Sequence, residues 1–209
     1  MENFEAQKKE FLSLLRGRRS VYRLGKADIS DGDLENYIES IFSSVPSAFN
    51  ARAQRILLLL GNQNLLFWKD LVPDVLRGRH EANPEDEAML EKRRGLCKSF
   101  CKGNGTVLFF TDSSVADTLK EDTIEYSSSI DRFMAQGDAM AEFAMWLGLS
   151  KIGLGASLQH FLGLGEAVKT AYNLDPSWKL DAQMPFGSIE KAPEPKDTSQ
   201  APEHFKVIK

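Results

Sequence analysis

The 209-residue chain is 42% hydrophobic and 27% charged, with a formal net charge of −4. That length buries a real core in one large domain or two small ones. The acidic balance argues against nucleic acid as a main partner and leaves room only for a local basic pocket. No segment nears the roughly 18 apolar residues that span a bilayer, and the acidic opening Met1-Glu2-Asn3-Phe4-Glu5 lacks a signal-peptide pattern. A cytoplasmic protein with no membrane partner is therefore expected.

The first expected element is a helix from Phe4 to Arg16, broken by Gly17 and followed by the polar turn Arg18-Arg19-Ser20. The clearest helix comes next. Ser30 to Asp33 supply capping groups, Leu34, Tyr37, Ile38, Ile41, Phe42 and Val45 follow at helical spacing, and Pro46 stops it. Ser47 to Asn50 reads as a short helix leading into a strand, Gln54 to Leu60, whose apolar run suits burial on both faces. Asn62 to about Arg79 is expected to be helical, as is the charged stretch from Pro84 to Cys101, with proline in its first turn. Thr106 to Thr111 is a second buried strand, and Ser113 to Asp122 a short helix.

Ile130 to Leu149 is a long helix, apolar nearly all round, which places it deep in the core or at a subunit contact. Gly153 to Gly155 makes a turn, Ala156 to Phe161 is short and extended, Gly165 to Tyr172 is a last helix, and Trp178 to Phe186 a last strand. From Gly187 the composition shifts to Pro, Glu, Lys and Ser, an extended tail. No repeat or linker divides the chain, so residues 1–209 read as one α+β, three-layer domain with a modest central sheet. The two cysteines, Cys97 and Cys101, lie four apart on one helix. They have no neighbouring ligand cluster, and they read as plain, reduced, partly buried residues, with a redox or metal role as the alternative. No metal site is expected.

Three segments carry chemistry. Arg18-Arg19-Ser20 can grip a phosphate by charge-assisted hydrogen bonds, although paired arginines at a helix end are more often solvated or partners of the helix dipole. In Pro46-Ser47-Ala48-Phe49-Asn50 the polar side chains either cap a helix or, at Asn50, read the edge of a heterocycle with an amide that both donates and accepts. Gly153-Leu154-Gly155-Ala156-Ser157-Leu158-Gln159-His160 is either an ordinary turn or a place where backbone approaches a flat ligand and offers it free amides. No carboxylate or serine completes a hydrolytic triad with His160.

Together these segments resemble the nitroreductase family. Arg18-Arg19-Ser20 is similar to its N-terminal Arg-Arg-Ser signature, Pro46 to Asn50 to its Pro-Ser-Ser/Ala-x-Asn segment, and Gly153 to His160 to its late Gly-Leu-Gly segment. Met184-Pro185-Phe186-Gly187, followed by Pro195-Lys196, is similar to its terminal strand and tail. Order and spacing match from about residue 11 to 208. Phe49-Asn50 and Ser157 to His160 resemble the short branch that includes the fungal fatty-acid-repression-mutant protein and its bacterial relatives.

The resemblance implies a three-layer α+β fold with a mixed, mostly antiparallel sheet flanked by helices. It also implies an intertwined homodimer with FMN held at each of two interface sites. It assigns Arg18, Arg19 and Ser20 to the FMN phosphate and ribityl chain, and Asn50 to the pyrimidine edge. Ser47 would pack near the ring from the other subunit. Gly155, Gln159 and His160 would lie along the isoalloxazine, and Lys206 would bring a basic residue from the tail to the phosphate. Two positions depart from the family pattern: Arg52, where Gln is common, and Glu203-His204-Phe205-Lys206 in place of Glu-Arg-x-Lys. Phe42, Phe49, Phe100, Phe109 and Phe110 are either slot walls or core.

The implied activity passes electrons from NADH or NADPH to flat, electron-poor small molecules such as nitroaromatics and quinones, with the chemistry on the flavin and no fixed catalytic side chain. Without a Rossmann segment, the sequence does not choose between the two donors. Two readings compete: an FMN-binding protein of stress or regulatory function with incidental turnover, and a structural dimer that has lost flavin.

Overall fold

The computed structural model describes residues 2–82, 87–194 and 206–208. Its elements follow in chain order: α1 (Glu2–Gly17), β1 (Leu24–Gly25), α2 (Asp31–Ser43), a 3-10 turn (Ala48–Asn50), β2 (Gln54–Leu60), α3 (Gly61–Leu66), a π-helical stretch (Phe67–Leu71) and α4 (Val72–Ala82). After these come α5 (Glu87–Phe100), β3 (Gly105–Asp112), α6 (Ser113–Asp122), a second 3-10 turn (Ile124–Ser129), α7 (Ile130–Lys151), β4 (Gly155–Ala156), α8 (Gly165–Tyr172) and β5 (Trp178–Ile189). Pro84 to Asp86, where the charged helix was expected to begin, lie outside the described residues.

The sheet order is β1-β5-β3-β2, with β4 also on β5, and every strand pair is antiparallel. Among the described residues the one parallel contact is an isolated bridge between Ser20 and Ala156. Alternation along β3 divides the core, because successive strand side chains point to opposite faces. Leu108 and Phe110 join Phe67, Trp68, Leu90, Phe100 and Val168, so α4, α5 and α8 cover one face. Val107 and Phe109 join Leu34, Ile38, Ala141 and Met145, so α2 and α7 cover the other. These are the three layers expected. Phe100, Phe109 and Phe110 are thereby core residues and not slot walls.

The sequence is locally consistent with its elements. Ser30 caps α2 by accepting from the Asp33 N–H, and Asp112 caps α6 by accepting from Ser114. Buried polar groups close on one another: Trp68 Nε1 donates to Thr106 Oγ1 at 2.7 Å, Thr106 Oγ1 to Asn64 Oδ1 at 2.7 Å, and Asn64 Nδ2 to the Phe100 carbonyl at 3.1 Å.

Two expectations about strands change. β2 is an edge strand, so most of its apolar side chains are half-buried in the single chain, and Leu59 alone is fully buried. The last strand runs past Phe186 to Ile189, because Ser188 and Ile189 pair with Gly25 and Leu24. That pairing partner was not foreseen: two residues are too few to show a period. Among the described residues no helix is long and apolar enough to cross a membrane.

Candidate functional site

α1 ends at Gly17, and the chain then runs extended beside the segment that follows α7. Ser20 bridges Ala156, and the Val21 N–H donates to the Ala156 carbonyl at 2.9 Å. The N-terminal and late glycine motifs, 136 residues apart by that bridge, are thus one edge. The Arg18 guanidinium lies 4.1 Å above the Trp146 ring, and Trp146 Nε1 donates to the Ala156 carbonyl at 3.2 Å. Burial, then the charge of Arg19, hold Arg18 below its ordinary pKa. Among the described residues neither arginine has an ion-pair partner. They line an open cleft of about 640 Å³ with Ser20, Arg23, Lys191 and Glu194. Among the described residues the cleft gathers four cations and one carboxylate, a balance that attracts an anion. Lys191 and Arg23 are additional cations that sequence reasoning missed.

Gly153 has φ 81°, the left-handed turn that lets the chain leave α7. Gly155 is small for another reason: a Cβ there would meet Val21 and Ile189 at 2.9 Å. Beyond it the chain follows β5 with a period of two. Gln159 exchanges backbone bonds of 2.8 and 2.9 Å with Gln183, the Ser157 N–H donates to the Pro185 carbonyl at 3.4 Å, and the Phe161 N–H donates to Gln183 Oε1 at 2.8 Å. The intervening Leu158 and His160 amides have no acceptor among the described residues. An extended chain presents successive N–H groups to opposite sides, so these two point away from β5 as free donors. The Gln159 side chain donates to Ser157 Oγ at 3.0 Å, and His160 is exposed.

The third segment is strained. Phe49, Asn50 and Arg52 have φ of 54°, 53° and 50°, each costing on the order of 1–3 kcal/mol unless the surroundings hold it. Ser47 holds the turn: its Oγ accepts the Arg52 N–H at 2.9 Å. Neither Ser47 nor Asn50 caps a helix through its side chain, so the capping alternative does not apply. Arg52 Nε donates to Asn50 Oδ1 at 3.4 Å, which leaves the Asn50 amide N–H groups outward. The half-exposed Phe49 ring packs 5.8 Å from Tyr126 and 6.2 Å from Phe133.

One chain does not join the segments. Phe49 sits beside Phe133 and Arg18 over Trp146, and the α7 helix between these two rises about 20 Å at 1.5 Å per residue. On the outer side of α7, Met140 and Phe143 are exposed. Lys206 is exposed and lies outside the cleft lining. Pro195, Lys196, Glu203, His204 and Phe205 lie outside the described residues.

A buried acidic group was also missed. Asp138 and Glu142, one turn apart on the inner face of α7, are buried. They meet Asp181, the residue left unpaired where the β3–β5 register shifts between Phe109 and Phe110. Asp138 accepts a hydrogen bond from Thr111, while Glu142 Oε1 has no partner. Burial, then the neighbouring carboxyls, push Glu142 up to about 8; burial, against the Thr111 bond, pushes Asp138 up to about 6. The available signal was two acids at i, i+4 in an otherwise apolar helix. Among the described residues no group of three or more His, Cys, Asp or Glu side chains is arranged to hold a metal ion. Burial pushes the Cys97 thiol up to about 12, which makes it a poor nucleophile.

A family model described as the nitroreductase family matches residues 15–188. The chain is 27% identical over 192 residues to the nitroreductase FRM2 of Saccharomyces cerevisiae, covering 89% of this chain and 91% of FRM2. It is 32% identical to the nitroreductase CinD from Lactococcus lactis, solved with chloramphenicol, covering 95% of this chain and all of that one, with a TM-score of 0.85. A nitroreductase with bound FMN from Desulfitobacterium hafniense shares the fold at 13% identity and a TM-score of 0.69, over 95% of this chain and 97% of that one.

Proposed function

The chain belongs to the nitroreductase family, and from that premise we propose that it is a single-domain, FMN-dependent oxidoreductase passing electrons from NADH or NADPH to flat, electron-poor acceptors such as nitroaromatics and quinones. One observation carries the reading. The Ser20–Ala156 bridge sets an unpaired pair of guanidinium groups and two free backbone amides along one edge. That donor set fits FMN, which has a dianionic phosphate at one end and a ring of acceptors at the other. CinD was also captured with 4-nitrophenol and with nicotinic acid, flat rings of the class proposed here.

In this reading Arg18, Arg19 and Ser20 bind the phosphate and ribityl chain, with Lys206 closing over the phosphate from the tail. Gly155, Gln159 and His160 line the ring, and the free Leu158 and His160 amides stabilise negative charge on it. When bound, FMN supplies the acceptance of hydride and the onward delivery of electrons. The protein orients the ring, leaves a flat slot above it and limits water. Asn50 reads the pyrimidine edge, and Ser47 lies near the ring of the other site. The length of α7 between the Asn50 and Arg18 ends supports a second copy bringing the two together at one flavin. The exposed Met140, Phe143 and Phe49 are the surface such a dimer covers.

The expected preparation is a yellow homodimer releasing about one FMN per chain on denaturation, measured by absorbance and sedimentation. A colourless protein that refuses added FMN, or a flavin-loaded monomer at micromolar concentration, would overturn the reading. Because donor and acceptor share one slot, they react in turn. Double-reciprocal plots at several acceptor concentrations are expected to be parallel, with inhibition at high acceptor. Converging lines would mean a separate nicotinamide site.

A further inference from the structure

On α5, Met89, Lys92, Arg93 and Leu96 recur at i, i+3, i+4 and i+7, one helical face. That face forms a narrow cleft of about 160 Å³ with Gln159, His160 and Phe161. The rest of α5 balances its charges. Arg94 lies 3.6 Å from Glu87 and 3.8 Å from Glu91, and Lys98 lies 3.9 Å from Glu91. On the cleft face, Lys92 has no ion-pair partner among the described residues. Met89, Leu96 and Phe161 give the cleft an apolar lining that suits a flat ring, and Lys92 belongs to the same lining.

We propose that this cleft is the outer end of the substrate slot and that Lys92 selects flat-ring substrates bearing an anionic group. The inference rests on the reading that Gln159 and His160 line the flavin ring, since that makes the cleft continuous with the reacting face. The anion is either a carboxylate on the acceptor or a phosphate of the nicotinamide dinucleotide. Both meet the same ammonium, because both substrates use one slot. Lys92 makes no bond to the reacting atoms. Its effect falls on kcat/KM for charged substrates and not on the chemistry of neutral ones.

The test compares the flavin-loaded wild type with Lys92→Ala and Lys92→Glu. One arm measures kcat/KM for 4-nitrobenzoate against its neutral counterpart 4-nitrobenzamide; the other measures NADH and NADPH against the uncharged donor 1-benzyl-1,4-dihydronicotinamide. The expected result is a wild-type preference for the charged member. That preference falls about five- to tenfold in Lys92→Ala and further in Lys92→Glu, with neutral substrates unchanged. A fall in the acceptor arm assigns the site to the acceptor's carboxylate, and a fall in the donor arm to the dinucleotide phosphate. Unchanged ratios in both arms, or equal losses on charged and neutral substrates, overturn the proposal. Turnover of the amide by the wild type tests the flavin reading separately: if it is absent with flavin bound, the slot itself is wrong.

Discussion

Arg18→Ala is expected to weaken FMN binding about tenfold to a hundredfold, because a charge-assisted bond to phosphate contributes roughly 1.5–3 kcal/mol. The same change at Arg52 should cost less. Its one bond toward the proposed site is a 3.4 Å contact between exposed side chains, and such contacts contribute about 0–1 kcal/mol. Arg18 also stacks over Trp146 at 4.1 Å, so its loss disturbs packing as well as charge. Riboflavin separates the two effects. Lacking the phosphate, it should bind the wild type more weakly than FMN does, and Arg18→Ala should narrow that gap. If Arg18→Ala weakens riboflavin and FMN alike, the guanidinium supports the fold and the phosphate lies elsewhere.

What was legible in the sequence was local. α6 and α8 fall where expected, since their ends are set by nearby chemistry: Asp112 caps one, and the left-handed Asn173 terminates the other. The three layers were legible because α7, β2 and β3 carry apolar runs that need cover on more than one side. What was missed depends on partners distant in the chain. β1 exists only because Ser188 and Ile189 pair with it, and the π-helical stretch Phe67–Leu71 has no signal of its own. The positive φ at Phe49 and Arg52 is imposed by a turn that Ser47 ties together and not by glycine. The motifs at Arg18 and Gly153 could be named from the sequence. That they form one edge came from the Ser20–Ala156 bridge, a contact no periodicity encodes.

The acidic group on α7 makes the protein's stability depend on pH in an unusual direction. A carboxyl whose folded pKa is raised holds its proton more tightly folded than unfolded. The fold then loses stability as pH rises from the usual carboxylate range through the folded value. For Glu142 that window ends near pH 8, and for Asp138 near pH 6. Below it both are neutral and carry no penalty; above it the fold holds a buried charge beside Asp181, with Glu142 Oε1 unpartnered. Glu142→Gln keeps the shape and removes the charge. The thermal midpoint of the wild type, at fixed protein and flavin concentration, should fall between pH 5 and pH 9 by an amount worth a few kcal/mol. The variant should fall less and be the more stable protein at pH 9 by several degrees. If Glu142→Gln is instead less stable than wild type at pH 9, the buried carboxylate is stabilised in its charged form there, and burial does not govern its titration.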